Sequence, residues 1–211
     1  EAFNGGAADL DQCRVTITNS KFDDNQAVGG TGGALTFYDL GRASSTYDDD
    51  YSISNSTFTN NAADEEGGAA YSFDSSGTFE DCTFDSNTSE EDGGALYLEE
   101  GDTTINRSTF LQNSGIDAGQ NAAGGAIVMT LNDNNAEGDS LTVDQSWFED
   151  NFADLGGAIY CNTSAGSKTH WNTSVCTLTY NVLKLIMEAD TKLFDDCSTN
   201  KRLDEVRDGA I

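Results

Sequence analysis

The sequence lacks proline altogether, contains one histidine, and has only 10 Lys and Arg against 37 Asp and Glu in 211 residues. The absence of proline excludes Pro-rich linkers and collagen-like structure. The formal net charge of −27 disfavours bare nucleic acid as a partner, because phosphates require Lys and Arg. Anionic lipid surfaces are disfavoured for the same reason. No apolar run approaches the roughly 18 residues that a membrane-spanning helix needs.

What the sequence does contain is an internal repeat built from two alternating motifs. The first, Gly-Gly-Ala, begins at Gly5, Gly32, Gly67, Gly93, Gly124 and Gly156. The second, Phe-x-x-Asn, separates successive copies of the first and consists of Phe22 and Asn25, Phe58 and Asn61, Phe84 and Asn87, Phe110 and Asn113, and Phe148 and Asn151. Because the two motifs alternate without a miss, each pair defines one structural unit.

Each unit has further regular positions and short strand-length segments. An apolar residue stands five positions before each Phe, at Ile17, Ile53, Phe79, Ile105 and Val143. A small residue stands two positions before it, at Ser20, Ser56, Cys82, Ser108 and Ser146. Short apolar runs follow Gly-Gly-Ala, and no helical period runs through the units.

This pattern predicts an all-β parallel β-helix (a solenoid) of about six coils. In such a fold stacked Phe side chains fill the interior and stacked Asn side chains hydrogen-bond at a turn. Gly-Gly allows a tight corner with positive φ. The inward face of the strands after Gly-Gly-Ala stays open, because Tyr71 and Phe73 are out of register with Leu35 and Phe37.

The chain divides into a repeat domain, 1–168, and a C-terminal segment, 169–211, that lacks both motifs. The repeat domain has thirty acidic and five basic residues, a net charge of −25, whereas the C-terminal segment has seven and five, a net charge of −2. Apolar residues from Leu183 to Phe194 recur at helical spacing and predict a helix near 180–195. We expect this partly helical segment to cap the last coil, because an open β-helix end invites aggregation. Insertions at 48–50 and 132–139 are expected to leave the repeats as loops.

The alternation of Gly-Gly-Ala with Phe-x-x-Asn resembles the repeats of the polymorphic outer membrane proteins of chlamydiae. The resemblance covers about 1–161 and implies a right-handed, pectin-lyase-like β-helix displayed on a cell surface, with adhesive or structural roles. It also implies an association with adhesion for the five motif pairs, namely Phe22, Asn25, Phe58, Asn61, Phe84, Asn87, Phe110, Asn113, Phe148 and Asn151. The simpler interpretation of the same residues is an interior Phe stack and an Asn ladder at a turn.

Cysteines, sequons and acidic clusters provide further candidate sites. One disulfide is expected among Cys161, Cys176 and Cys197, typical of an oxidising compartment; fully reduced cysteines are the alternative. Asn-x-Ser/Thr sequons at Asn55, Asn106, Asn162 and Asn172 are candidate N-glycosylation sites. Acidic clusters at 64–66 and 90–92 precede Gly-Gly-Ala in consecutive coils. They are predicted to stack, either as a solvated face or with Ca²⁺ relieving their repulsion. No other cofactor is expected.

The sequence as a whole predicts a non-catalytic extracellular surface protein, acting as a structural rod or adhesin within a surface or filament assembly. Its partners would be other protein modules, stacking on the N-terminal coil, and glycans. The main alternative is a polysaccharide lyase or glycoside hydrolase on a β-helix, although few basic residues are available to a lyase. A lesser alternative is an ice-binding solenoid, which requires outward Thr rows; Thr16 with Thr18 and Thr57 with Thr59 do not recur together in register.

Overall fold

The computed structural model describes residues 2–40, 51–117, 122–131, 140–163 and 177–178. It divides the chain into two compact units, Glu1–Thr177 and Leu178–Ile211. The described residues are all-β and contain no helix. The predicted loops at 48–50 and 132–139 and the predicted helix near 180–195 lie outside them. The expectation that residues 169–211 form a cap therefore stays a prediction.

The strands form four sheets. Sheet 1 has the order β1 (Ala8–Asp11), β5 (Leu35–Tyr38), β9 (Ala70–Phe73), β13 (Leu96–Glu99), β17 (Ile127–Leu131) and β20 (Ile159–Thr163). Sheet 2 has the order β2 (Val15–Thr18), β6 (Tyr51–Ser54), β10 (Gly77–Glu80), β14 (Asp102–Asn106), β18 (Ser140–Asp144) and β21 (Thr177–Leu178). Sheet 3 has the order β3 (Lys21–Asp23), β7 (Thr57–Thr59), β11 (Thr83–Asp85), β15 (Thr109–Leu111) and β19 (Trp147–Glu149). Sheet 4 has the order β4 (Gln26–Ala27), β8 (Ala62–Ala63), β12 (Thr88–Ser89) and β16 (Ser114–Gly115).

Every strand of the first three repeats pairs in parallel with its equivalent in the next repeat. The chain passes through sheets 1 to 4 in turn and then returns to sheet 1, one strand further along. Parallel pairing of equivalent residues places like beside like, so each position of the repeat becomes a row that runs across a sheet. Phe22, Phe58 and Phe84, for example, are directly paired neighbours in sheet 3.

The core is built from these rows, because alternate residues of each short strand point inward. The apolar row of sheet 2 is Ile17, Ile53, Phe79, Ile105 and Val143, as the sequence predicts. The alanines of Gly-Gly-Ala form another buried row, including Ala34, Ala69, Ala95 and Ala126. The core therefore extends continuously from one repeat to the next.

The register of sheet 1 decides which residues after Gly-Gly-Ala face the core. Leu35 pairs with Ala70, which in turn pairs with Leu96; Phe37 pairs with Ser72, which in turn pairs with Leu98. These residues are buried. Tyr71 and Tyr97 instead belong to the outward row that begins with Asp9 and Thr36, which resolves the face that the sequence left open.

The two glycines of Gly-Gly-Ala are required for different reasons. The first has positive φ, as at Gly67 with φ 71°. The second lies against the next repeat: a Cβ on Gly33 would be 2.0 Å from the Gly68 carbonyl oxygen, and one on Gly68 would be 2.1 Å from that of Gly94. The predicted positive φ thus applies to the first glycine, whereas the second is needed because the stacked backbones approach too closely for a side chain.

Candidate functional site

The five Phe-x-x-Asn phenylalanines form one continuous stack in the core. Successive ring centroids are 4.8, 4.8, 4.6 and 4.8 Å apart, and the rings are within 7° of parallel. Phe58, Phe84 and Phe110 are fully buried, whereas Phe22 and Phe148 at the two ends are partly exposed. The central rings are therefore enclosed by their neighbours along the row.

The five asparagines form a hydrogen-bonded ladder beside the Phe stack. Asn61 shows the full pattern. Its Oδ1 accepts hydrogen bonds from the backbone N–H and Nδ2 of Asn25, at 3.1 and 2.9 Å. Its Nδ2 donates to Asn87 Oδ1 at 2.9 Å and to the Phe22 carbonyl at 3.1 Å. Asn87 and Asn113 repeat these four bonds, so the amides of the three inner asparagines are saturated from within the fold.

The adhesion association of the ten motif residues stays a prediction. Asn61, Asn87 and Asn113 are fully buried, as are the three central phenylalanines. In the folded chain their side chains are thus occupied by neighbouring repeats, and contact with another molecule would fall to the row ends or to the outer faces of the sheets.

The small residues two positions before each Phe form a second hydrogen-bonded row. Each Ser Oγ in this row donates to the carbonyl two residues earlier. After the first repeat, it also accepts a hydrogen bond from the backbone N–H of the equivalent residue in the preceding repeat, as from Cys82 N to Ser108 Oγ at 3.1 Å. Cys82 occupies one position in this row, and its thiol points to the carbonyls of Glu80 and Ile53. Burial raises the pKa of the Cys82 thiol, which makes it an unreactive structural residue.

The outer face of sheet 1 carries three tyrosines, a phenylalanine and a glutamate side by side. We call this set the tyrosine strip: Tyr38, Tyr71, Phe73, Tyr97 and Glu99. Tyr71 and Tyr97 stack with centroids 5.5 Å apart, and Tyr38 packs against Tyr71 at 5.7 Å. Although it faces outward, Tyr71 is only 7% exposed. Its hydroxyl donates to Glu99 Oε2 at 2.8 Å. No sequence motif marks this strip, because its members align only when the register of sheet 1 is known.

The acidic turns before Gly-Gly-Ala lie beside the tyrosine strip and interact, as the sequence predicts. Burial raises the pKa of Glu66 to about 7; repulsion from Glu91, Glu65 and Asp92 adds to this effect, and a backbone hydrogen bond partly offsets it. Burial also raises the pKa of Asp92, whose Oδ1 accepts a 2.7 Å hydrogen bond from Ala123 N. Within the described residues no three His, Cys, Asp or Glu side chains converge to hold a metal. The Ca²⁺ interpretation stays a prediction.

Lys21 and Arg107 pair with carboxylates at the surface. The Arg107 guanidinium forms a bidentate pair with Asp81, through Nε at 2.9 Å and Nη2 at 2.8 Å, and also contacts Glu80. Lys21 Nζ pairs with Asp23 at 2.8 Å. These pairings leave neither cation in a cluster of the kind that a lyase would use.

The structure shows how the threonines align across the repeats. Thr16 heads a row of outward hydroxyls in sheet 2 that continues through Ser52, Thr78, Thr104 and Thr142. Sequence spacing concealed this row, because Ser52 interrupts it and insertions vary the step. The neighbouring outward row of sheet 2 contains Glu80 and Asp144 beside Thr18, so hydroxyls do not fill it. In sheet 3, Thr57, Thr83 and Thr109 form a shorter row.

The modification candidates differ in accessibility. Asn55 is exposed at a corner with positive φ, and Asn162 lies in β20. Asn106 is half-buried, and its Oδ1 is enclosed without a hydrogen-bond partner. Cys161 is exposed, while Asn172, Cys176 and Cys197 lie outside the described residues. The predicted glycosylation and disulfide therefore stay predictions.

Comparisons with known proteins give two partial similarities, neither covering half of the chain. Residues 55–72 and 81–99 match the Chlamydia polymorphic membrane protein repeat, as the motifs indicate. Residues 145–209 match the protein phosphatase 2A regulatory B subunit (B56 family). The second match includes β19 and β20 as well as the segment without motifs. No solved structure is significantly similar to the chain.

Three curated relatives illustrate the phosphatase similarity. The rabbit (Oryctolagus cuniculus) 56 kDa regulatory subunit delta isoform of serine/threonine-protein phosphatase 2A is 54% identical over 41 residues, 19% of this chain and 6% of the relative. The human alpha isoform is 35% identical over 63 residues, 30% of this chain and 13% of the relative. The human beta isoform is 38% identical over 60 residues, 28% of this chain and 12% of the relative. The chain thus spans a small fraction of each. Sequence reasoning detected the change of composition after 168 but not this similarity.

Among the described residues, no helix is long and apolar enough to cross a membrane.

Proposed function

We propose that the repeats form a right-handed parallel β-helix that serves as a non-catalytic structural rod in an extracellular surface or filament assembly. The observation that carries this proposal is the saturated Asn ladder beside the continuous Phe stack. Both rows commit the motif residues to joining one repeat to the next, which stiffens a column of repeats along its axis. The similarity of residues 55–72 and 81–99 to the Chlamydia polymorphic membrane protein repeat supports surface display.

On this proposal the outer faces make the contacts with partners. The partners would be protein modules and glycans, met through the tyrosine strip and the acidic turns. Because the amides of the inner Asn ladder are saturated without a ligand, we expect folding to require no cofactor, with Ca²⁺ acting only at the acidic turns.

Surface labelling tests the proposed location. Intact cells of the source organism are treated with a membrane-impermeant biotin reagent, and the protein is captured and detected with an antibody against residues 51–117. We expect labelling in intact cells and glycan mass at Asn55 or Asn162 by peptide mass spectrometry. Labelling only after lysis, with unmodified sequons, would overturn extracellular display.

A second candidate function follows from the phosphatase similarity. The 54% identity to the rabbit subunit over 41 residues favours a regulatory contact with protein phosphatase 2A made by the C-terminal part of the chain. Purified phosphatase 2A is tested for binding to the full chain and to a chain ending at residue 163. Binding that needs residues 164–211 supports this candidate, and absence of binding by the full chain removes it.

The enzyme and ice-binding alternatives each have one supporting observation. Glu66, with a pKa near neutrality beside the tyrosine strip, has the property of a general acid. Release of reducing ends from neutral and acidic polysaccharides, lost in Glu66→Gln, would establish the first. The Thr16 row supports the second, for which thermal hysteresis is the measurement. We expect neither signal.

A further inference from the structure

The first repeat presents an unfilled version of the contacts that join all later repeats. Asn61, Asn87 and Asn113 each accept two hydrogen bonds at Oδ1 from the asparagine of the repeat before. Asn25 donates to Asn61 in the same way, yet within the described residues its own Oδ1 receives no hydrogen bond. An acceptor used by every inner member of the ladder is thus unoccupied at its first member.

The ring of Phe22 shows the same asymmetry. It stacks on Phe58 at 4.8 Å with an interplanar angle of 6°, but its other face has no aromatic neighbour among the described residues. Phe22 is half-buried, whereas Phe58 is fully buried. The edges of β1, β2 and β3 are likewise unpaired on this side within the described part of the chain.

Ala2 already marks the register that an added repeat would adopt. It forms a parallel bridge with Ala27, and its N–H donates to the Gln26 carbonyl at 3.1 Å. Ala27 in turn pairs with Ala63 in sheet 4. Ala2 therefore occupies the same position of the repeat as Ala27 and Ala63, which come two residues after the Asn of Phe-x-x-Asn.

We propose that this face, formed by Phe22, Asn25 and the free edges of β1 to β3, docks a further repeat that carries Phe-x-x-Asn. The Asn N–H and Nδ2 of the docked repeat donate to Asn25 Oδ1. Asn25 Nδ2 donates to the backbone carbonyl of the Phe in the docked repeat. The ring of that Phe stacks on Phe22. When the docked repeat is covalently joined, its Asn comes directly before Glu1. The inference rests on the β-helix proposed above, because it extends the same column by one repeat.

The test extends the full chain with a copy of its own repeat. Residues 93–113, which contain β13, β14 and β15 and end at Asn113, are joined directly before Glu1. We expect the midpoint of thermal unfolding to rise by about 5 °C or more, as a gain of a few kcal/mol implies for a chain of this size. NMR is expected to show the Asn25 side-chain amide newly protected from exchange.

Two matched controls carry the same added mass. The first places one glycine between the copy and Glu1, which breaks the register that Ala2 sets. The second changes the copied Asn113 to Ala. Both are expected to lose most of the rise. An equal rise in all three proteins, or no rise in the in-register extension, overturns the proposal.

The unextended chain distinguishes other outcomes. Light scattering that shows a dimer of the unextended chain, abolished by the in-register extension, would make a second copy the occupant and overturn the proposal as stated. If the extension fails while Asn61→Ala still destabilises the unextended chain, the docking inference fails and the β-helix stands. If both fail, the β-helix itself is wrong.

Discussion

At the scale of single residues, a large core side chain in one repeat fills the space left by a glycine in the next. Tyr51 is fully buried in sheet 2, where its ring stacks on Phe37 at 4.8 Å. Its hydroxyl lies 2.8 Å from Thr103 Oγ1, two repeats further on. The ring passes over Gly77, because the intervening position of the row has no side chain. One glycine outside the Gly-Gly-Ala motif is therefore part of the core.

We expect Gly77→Ala to be strongly destabilising. An added Cβ would lie 2.5 Å from ring carbons of Tyr51 and 2.3 Å from its carbonyl oxygen. Overpacking of this kind costs roughly 1–3 kcal/mol in the free energy of unfolding, measured by urea denaturation. Gly157→Ala is the matched control, since its nearest contact would be 3.3 Å away. An equal effect in both variants would contradict the proposed role of Gly77.

Glu66 is expected to make stability fall as pH rises through neutrality. Its pKa in the folded chain is about 7, raised first by burial, against 4.5 for the free side chain. The folded state therefore holds the proton more tightly, so this contribution is complete below pH 4.5 and is lost as pH rises through 7. Urea midpoints from pH 4 to 8 measure it.

The matched variants for this pH dependence are Glu66→Gln and Glu149→Gln. Glu66→Gln should flatten the fall between pH 4.5 and 7. Glu149 lies in sheet 3, where its side chain accepts a hydrogen bond from Trp147. Because it is outside the acidic turns, Glu149→Gln should leave the change of the urea midpoint with pH as it is in the unsubstituted chain. A slope that persists in Glu66→Gln would mean that other carboxylates produce it.

At the scale of elements, the unit of stability is the row rather than the strand. The strands are only two to five residues long, too short to be stable as isolated hairpins. Each becomes stable because its equivalents in both neighbouring repeats cover it. Loss of a side chain in the middle of a row should thus cost more than the same loss at its end.

Asn61→Ala and Asn25→Ala test this expectation on the Asn ladder. Asn61 is fully buried, and its loss removes an acceptor from Asn25 and a donor from both Asn87 and the Phe22 carbonyl. Each buried polar group left unsatisfied costs about 1–3 kcal/mol. We expect Asn61→Ala to lower the free energy of unfolding by at least twice as much as Asn25→Ala. Equal costs at the two positions would contradict a cooperative ladder.

The Phe stack provides an independent test at the same scale. Phe84→Ala removes a ring enclosed between Phe58 and Phe110, whereas Phe148→Ala removes a partly exposed ring at the end of the stack. Truncation of a buried Phe costs about 3–5 kcal/mol. Phe84→Ala should reach this range and Phe148→Ala should fall well below it, measured by chemical denaturation.

At the scale of the whole molecule, the dominant property is the net charge of −27. Repulsion among carboxylates opposes the compact state, and salt screens exposed charges over about 10 Å at 0.1 M. We expect the thermal midpoint to rise between 10 mM and 500 mM NaCl. We also expect EDTA to leave the thermal midpoint unchanged, because the proposed rod needs no metal to fold. A fall with EDTA that CaCl₂ reverses would instead show a structural Ca²⁺ site.

The sequence alone determined the repeat, the parallel strands and the interior rows. This was so because parallel stacking turns each repeated Phe, Asn or Ser into a neighbour of its own equivalents. Periodicity is then sufficient to predict contact, even across inserted loops. The same reasoning identified Cys82 as a member of the small-residue row.

The tertiary structure decided what depends on register and close approach. Only paired strands show that Tyr71 faces outward and that Thr16 heads a row of hydroxyls. Only the stacked backbones show that the second glycine of the first five motifs, such as Gly33, is required by the neighbouring repeat. The raised pKa of Glu66 likewise arises first from its burial in the folded chain. These properties depend on distances of a few ångströms between residues more than twenty positions apart, which no local pattern records.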